Sequence, residues 1–109
     1  MPMLDASSLQ ISDRHLTILL GLLKAHVPHA TVWAYGSRVD GPCHEGSDLD
    51  LVLLNPVNAD SSVNGIPTLR SALQESSLPF LVDVHDWALL PDGFRQNIQK
   101  RFVQLQLAA

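Results

Sequence analysis

The chain has 109 residues, 46% of them hydrophobic, and its 11 acidic against 7 basic side chains give a formal charge of -4. That size suits one domain with a single core, expected over residues 1–109, and the acidic balance lacks the broad cationic footprint of a nucleic-acid binder, so no direct nucleic-acid contact is expected. The one cysteine, Cys43, cannot close an internal disulfide, which points to a reducing compartment and a cytoplasmic location. The start, Met1-Pro2-Met3-Leu4-Asp5, lacks the basic and apolar regions of a signal peptide, and no apolar run approaches ~18 residues, so no membrane association is expected.

Ser12 caps a helix predicted over residues 13–26, in which Leu16, Leu19, Leu20, Leu23 and Val27 recur at helical spacing up to Pro28. Thr31-Val32-Trp33-Ala34-Tyr35 is a short β-branched and aromatic run stopped by Gly36-Ser37, and reads as a buried strand. Arg38 to Ser47 contains Gly41, Pro42 and Gly46 and reads as a loop, with room for one helical turn just after Ser37. In Asp48-Leu49-Asp50-Leu51-Val52-Leu53-Leu54, strand alternation sets Leu49, Leu51 and Leu53 on one face. Asp48, Asp50, Val52 and Leu54 take the other, so both carboxylates point the same way.

Residues 55–66 have the polar composition of a connector. Pro67 then opens a short helix carrying Leu69, Ala72 and Leu73. A third strand, Phe80 to His85, sets Leu81, Asp83 and His85 opposite Phe80, Val82 and Val84. A last helix is predicted from Pro91, with Phe94, Ile98, Phe102 and Leu105 as its buried stripe and Val103 and Leu107 widening that face toward another chain. Helices interleaved with strands in this order predict an α+β fold, a small mixed β-sheet with helices packed on it.

Two carboxylates at i and i+2 on a strand repel each other when alone, and a hard, oxygen-seeking cation such as Mg²⁺ relieves that repulsion while keeping places for substrate phosphates. Asp83 interrupts an apolar strand, where an uncompensated charge is costly, and is the third carboxylate of a candidate two-metal site. Asp86 is its competitor, but has the other strand parity and stands where a turn needs a cap. Upstream, Gly36 lets the backbone approach a phosphate closely, the Ser37 hydroxyl can donate to it, and Arg38 offers a charge-assisted contact. The chemistry such a set supports is in-line displacement at the α-phosphorus of a nucleoside triphosphate, with Asp83 as general base or metal bridge.

The string Gly36-Ser37-Arg38-Val39-Asp40-Gly41, five residues, then Ser47-Asp48-Leu49-Asp50-Leu51 resembles the signature of the DNA polymerase β-like nucleotidyltransferase superfamily, and most of all its minimal nucleotidyltransferase (MNT) branch. The resemblance runs from the first helix through Asp83 to the closing helix. It implies the polymerase β-like fold, with Gly36 and Ser37 on the nucleotide and Asp48, Asp50 and Asp83 as catalytic and metal-binding carboxylates for two Mg²⁺ ions; Arg38 and Ser47 are expected on the nucleotide beside them. It further implies the antitoxin of a type VII-like toxin-antitoxin pair, transferring AMP from ATP (or using another nucleoside triphosphate) onto a HEPN-domain partner, as a homo- or hetero-oligomer. A non-catalytic antitoxin that binds the HEPN ribonuclease, or transfer to a small molecule, are the alternatives. Asp40 departs from the family pattern, where a basic residue often precedes the glycine.

The remaining polar residues have blander readings. The five histidines show no zinc-ligand spacing, although His85 shares the parity of Asp83. Trp33 and Trp87 read as core, and Cys43 as an ordinary thiol.

Overall fold

The computed structural model describes residues 3–108. Strand β1 is Met3–Leu4, helix α1 Asp13–His26, β2 Thr31–Tyr35, β3 Leu49–Leu54, α2 Ile66–Glu75, β4 Val82–Asp86, α3 Asp92–Lys100 and β5 Phe102–Gln106. The strands form one sheet in the order β1-β5-β2-β3-β4. Pairings β1–β5 and β3–β4 are parallel, and those of β2 with β3 and with β5 are antiparallel. This is the mixed-sheet α+β architecture expected of a small polymerase β-like nucleotidyltransferase fold.

Alternation along the strands sorts the core into two layers. Val32, Ala34, Leu49, Leu51, Leu53, Val84 and Val103 face Leu19 and Leu23 of α1 and Leu69 and Leu73 of α2. On the other face Val52, Trp87, Ile98 and Phe102 form a smaller cluster, with Trp33 and Tyr35 packed against it. Trp33 stacks on Phe102 with centroids 4.0 Å apart and meets Trp87 edge-on at 5.5 Å, so both indoles serve packing. Helices α1 and α2 therefore cover one face, while the single short α3 leaves much of the second open.

Local signals explain the helix limits. The Ser12 hydroxyl accepts from His15 N–H at the start of α1. Gly65, with φ +94°, precedes α2, and Pro67 occupies its first turn. Gly65 sits so close to the end of α1 that a Cβ would lie 2.9 Å from the His26 carbonyl oxygen.

The expected closing helix is corrected at its C-terminal half. It stops at Lys100, and Phe102–Gln106 is a strand inserted between β1 and β2. Phe102 and Val103 are consecutive and both buried, one in each core layer, an arrangement that a strand provides and a helical stripe does not. Leu105 consequently packs with the α1 layer, whereas Phe94 is 40% exposed. Val103 is fully buried and presents nothing to another chain; Leu107 is exposed. The third strand also lies slightly later than expected, from Val82 to Asp86. Among the described residues no helix is long and apolar enough to cross a membrane.

Candidate active site

Strand register assembles the site. Tyr35 of β2 pairs with Asp50 of β3, and Asp50 pairs with Asp83 of β4. Three polar side chains thus stand abreast on neighbouring strands, about 4.8 Å apart from strand to strand. Asp50 shares parity with Val52 of the smaller core cluster, so the row lies on the face that α3 leaves open. Asp48, two residues before Asp50, is exposed at the mouth of the same sheet end.

The electrostatics follow from this crowding. The Asp50 carboxyl is held above its ordinary range, first by burial, then by the charges of Asp83 and Asp48, with His85 pulling the other way. The Tyr35 phenol is pushed far above its ordinary range by burial and then by Asp50 and Asp83, so it stays protonated. His85, two residues along β4, reaches Asp83 Oδ2 through Nε2 at 3.1 Å. Phe94 of α3 closes the side of the row, edge-on to Tyr35 at 6.0 Å and 6.1 Å from His85.

Among the described residues no group of three or more His, Cys, Asp or Glu side chains closes on a common point as a ready-made metal shell. The donor chemistry nonetheless suits a divalent ion. Asp48, Asp50 and Asp83 are hard oxygen donors whose mutual repulsion is already felt in the raised Asp50 value, and a cation relieves it.

The Gly36-Ser37 turn touches this row directly. Gly36 has φ +85°, and a Cβ built on it would overlap the Asp50 carboxylate, lying 3.2 Å from Cγ. Only glycine lets β2 end this close to β3's acid. Its carbonyl accepts from Val39 and Asp40 N–H at 2.9 and 2.8 Å, which is the helical turn anticipated after Ser37. Ser37 itself is exposed.

Arg38 is placed differently from the phosphate contact expected of it. Its side chain is 5% exposed. The guanidinium donates to the carbonyls of Ser47 (2.8 Å), Gln10 (2.8 Å), His44 (3.4 Å) and Glu45 (2.9 Å) and lies 4.1 Å over the Phe80 ring. It pins the loop that delivers Asp48 rather than facing the cleft. Ser47 joins that loop too, its hydroxyl accepting from His44 N–H at 2.9 Å. Asp86, the rejected alternative to Asp83, is 8% exposed and accepts from Val63 and Ala88 N–H; it is a structural cap.

Beside Gly36 lies a pocket of about 280 Å³ lined by Tyr35, Asp40, Phe94, Asn97, Lys100 and Arg101 among others. Asp40 does not stand as a free negative charge there, because Arg101 Nε meets its carboxylate at 2.9 Å. Sequence reasoning missed Tyr35, Lys100 and Arg101 as site residues. The register of β2 against β3 would have found the tyrosine, and the break between α3 and β5 would have found the basic pair.

No protein-family model matches the chain. It is 38% identical over 104 residues, 95% of its own length and 90% of the relative's, to the probable protein adenylyltransferase MntA of Haemophilus influenzae. That identity, spread over nearly the whole chain, joins a mixed sheet that sets Asp50 and Asp83 in register beside a Gly-Ser turn. The chain belongs to the minimal nucleotidyltransferase family.

Proposed function

We propose that this chain transfers AMP from ATP, with Mg²⁺, onto a hydroxyl of a HEPN-domain partner, and thereby acts as a cytoplasmic antitoxin. The observation that carries the reading is the row Asp50–Asp83 in strand register with Gly36 against Asp50. The name of the Haemophilus relative, a probable protein adenylyltransferase, supports AMP as the group transferred and a protein as the acceptor.

In this reading Gly36 and Ser37 receive phosphate oxygens through backbone N–H groups and the Ser37 hydroxyl. Asp48, Asp50 and Asp83 would hold the divalent ions, which when bound neutralise phosphate charge and lower the pKa of the attacking hydroxyl. The acceptor oxygen forms a bond to the α-phosphorus as the bond from that phosphorus to the bridging oxygen breaks. Pyrophosphate departs, and the acceptor proton passes to the Asp83 carboxylate. Asp83 is 60% exposed, so a partner's side chain can reach it, and His85 keeps its carboxylate oriented. Tyr35, protonated, stands in register beside Asp50 and does not compete as a nucleophile.

The test mixes the chain, Mg²⁺, ATP labelled at the α-phosphate and a short all-helical HEPN partner. Label on the partner, and none when the γ-phosphate carries it, is expected. Complex formation without transfer overturns the enzymatic reading. Asp48→Asn with Asp50→Asn should abolish neutralisation of the toxin; survival of neutralisation in the folded variant identifies an antitoxin that works by binding alone.

A further inference from the structure

The site as described is rich in acid and poor in base, although its substrate is a polyanion. Of the seven Lys and Arg side chains, five are committed elsewhere. Arg14 and Lys24 belong to α1, on the opposite face of the sheet. Arg38 is held by four carbonyls. Arg70 donates to the Val84 carbonyl at 2.7 Å. Arg95 donates to the Trp87 carbonyl at 3.0 Å and pairs with Asp60 at 3.2 Å. The two that remain, Lys100 and Arg101, both line the pocket that Gly36 and Tyr35 share.

We infer that this pocket is a polyphosphate subsite, in which Lys100 and Arg101 take the β- and γ-phosphates of a nucleoside triphosphate and Asp40 holds Arg101 until they arrive. The inference rests on the nucleotidyl-transfer reading and assigns the triphosphate tail within it. Arg101 and Asp40 are each about half exposed, at 54% and 51%, so their pair is weak enough for a more highly charged anion to displace. A carboxylate and a phosphate both present anionic oxygens to a guanidinium, which makes Asp40, meeting Arg101 through one Nε–Oδ1 contact, an internal stand-in for the ligand. Asn97, one turn before Arg101 and also on the wall, adds an amide donor within the same pocket. Asp40 thus has a defined role where a basic residue was expected: it offsets the charge of Arg101 when the subsite is empty, leaving Lys100 unopposed, and competes with the substrate for Arg101.

A merely structural pair predicts that removing either partner harms the protein in the same direction. The subsite predicts opposite directions, since losing Arg101 removes a phosphate ligand and losing Asp40 removes its competitor. The experiment measures binding of ATP, AMP and inorganic tripolyphosphate, with Mg²⁺ at fixed ionic strength, to the native chain and to Lys100→Ala, Arg101→Ala and Asp40→Asn. Each cation variant should weaken ATP and tripolyphosphate about tenfold while AMP changes by less than about twofold. Asp40→Asn should tighten ATP and tripolyphosphate. Unfolding temperatures, read in parallel, identify any variant that fails to fold, and Asp40→Asn carries the test alone if Arg101→Ala does. Native binding of ATP with no change in the variants, or weakening by Asp40→Asn as well, sinks the subsite and leaves the transferase reading standing. A native chain that binds no triphosphate overturns both.

Discussion

Replacing Gly36 with alanine tests the contact on which the site is built. Gly36 holds φ +85°, a region that costs an L-residue about 1–2 kcal/mol. The new methyl group would also overlap the Asp50 carboxylate, and since β3 is buried on both sides at Leu51 and Val52, the carboxylate has to turn away rather than the strand. In a chain of this size the backbone strain alone lowers the unfolding temperature by about 4–9 °C. A displacement of Asp50 by about 1 Å lowers transfer by roughly a hundredfold. Differential scanning fluorimetry and label transfer measure the two effects. Gly93→Ala is the control, because a Cβ there meets nothing within 4 Å and the position lies in α3, so stability should hold or rise. If Gly36→Ala melts with the native chain and transfers label at the native rate, the close approach of turn and acid has no functional weight.

Three further outcomes follow from named contacts. Arg38→Met should cost about 2–4 kcal/mol in urea unfolding, because four carbonyls lose their donor; a loss of tripolyphosphate affinity without loss of stability would instead return Arg38 to the phosphates. Gln104→Pro should prevent folding, because β5 lies between β1 and β2 and Gln104 pairs with Trp33; circular dichroism of a native-like variant would refute the strand. In metal-free protein, Asp50→Asn should stabilise the fold at neutral pH. The Asp50 carboxyl is raised in the folded chain, so its contribution is whole below the unfolded carboxyl's range and is lost as pH rises through the folded value. Unfolding temperatures measured with chelator from pH 4 to 7 should therefore fall more in the native chain than in the variant; parallel curves would contradict the crowding of acids.

Most of the fold was legible because local rules and the global structure agree. The Ser12 cap and leucine spacing place α1 over Asp13–His26, and strand parity alone points Asp48 and Asp50 the same way, while the alignment of Asp83 with Asp50 comes from the β3–β4 register. Pairing is what local rules do not carry. Nothing in Met3–Leu4 announces a parallel partner for β5, and Phe102-Val103-Gln104-Leu105 fits a helical stripe until both layers of the core are known to exist. The same gap hid Lys100 and Arg101, which fell inside the expected closing helix and lie instead where α3 ends, beside Gly36. Arg38 lies away from its expected place for a different reason. Sequence adjacency to the Gly-Ser turn does not say which way a side chain leaves it, and here the carbonyls of residues 44–47 claimed the guanidinium.

The central claim is that Asp48, Asp50 and Asp83 share a divalent ion beside the Gly36 turn when nucleotide is bound. Paramagnetic broadening by Mn²⁺, followed in the amide spectrum of the protein with ATP present, reads this directly. The signals of Gly36, Asp50 and Asp83 should vanish first, and in Asp50→Asn they should persist. Broadening centred elsewhere in the chain, or unchanged by Asp50→Asn, would contradict the account.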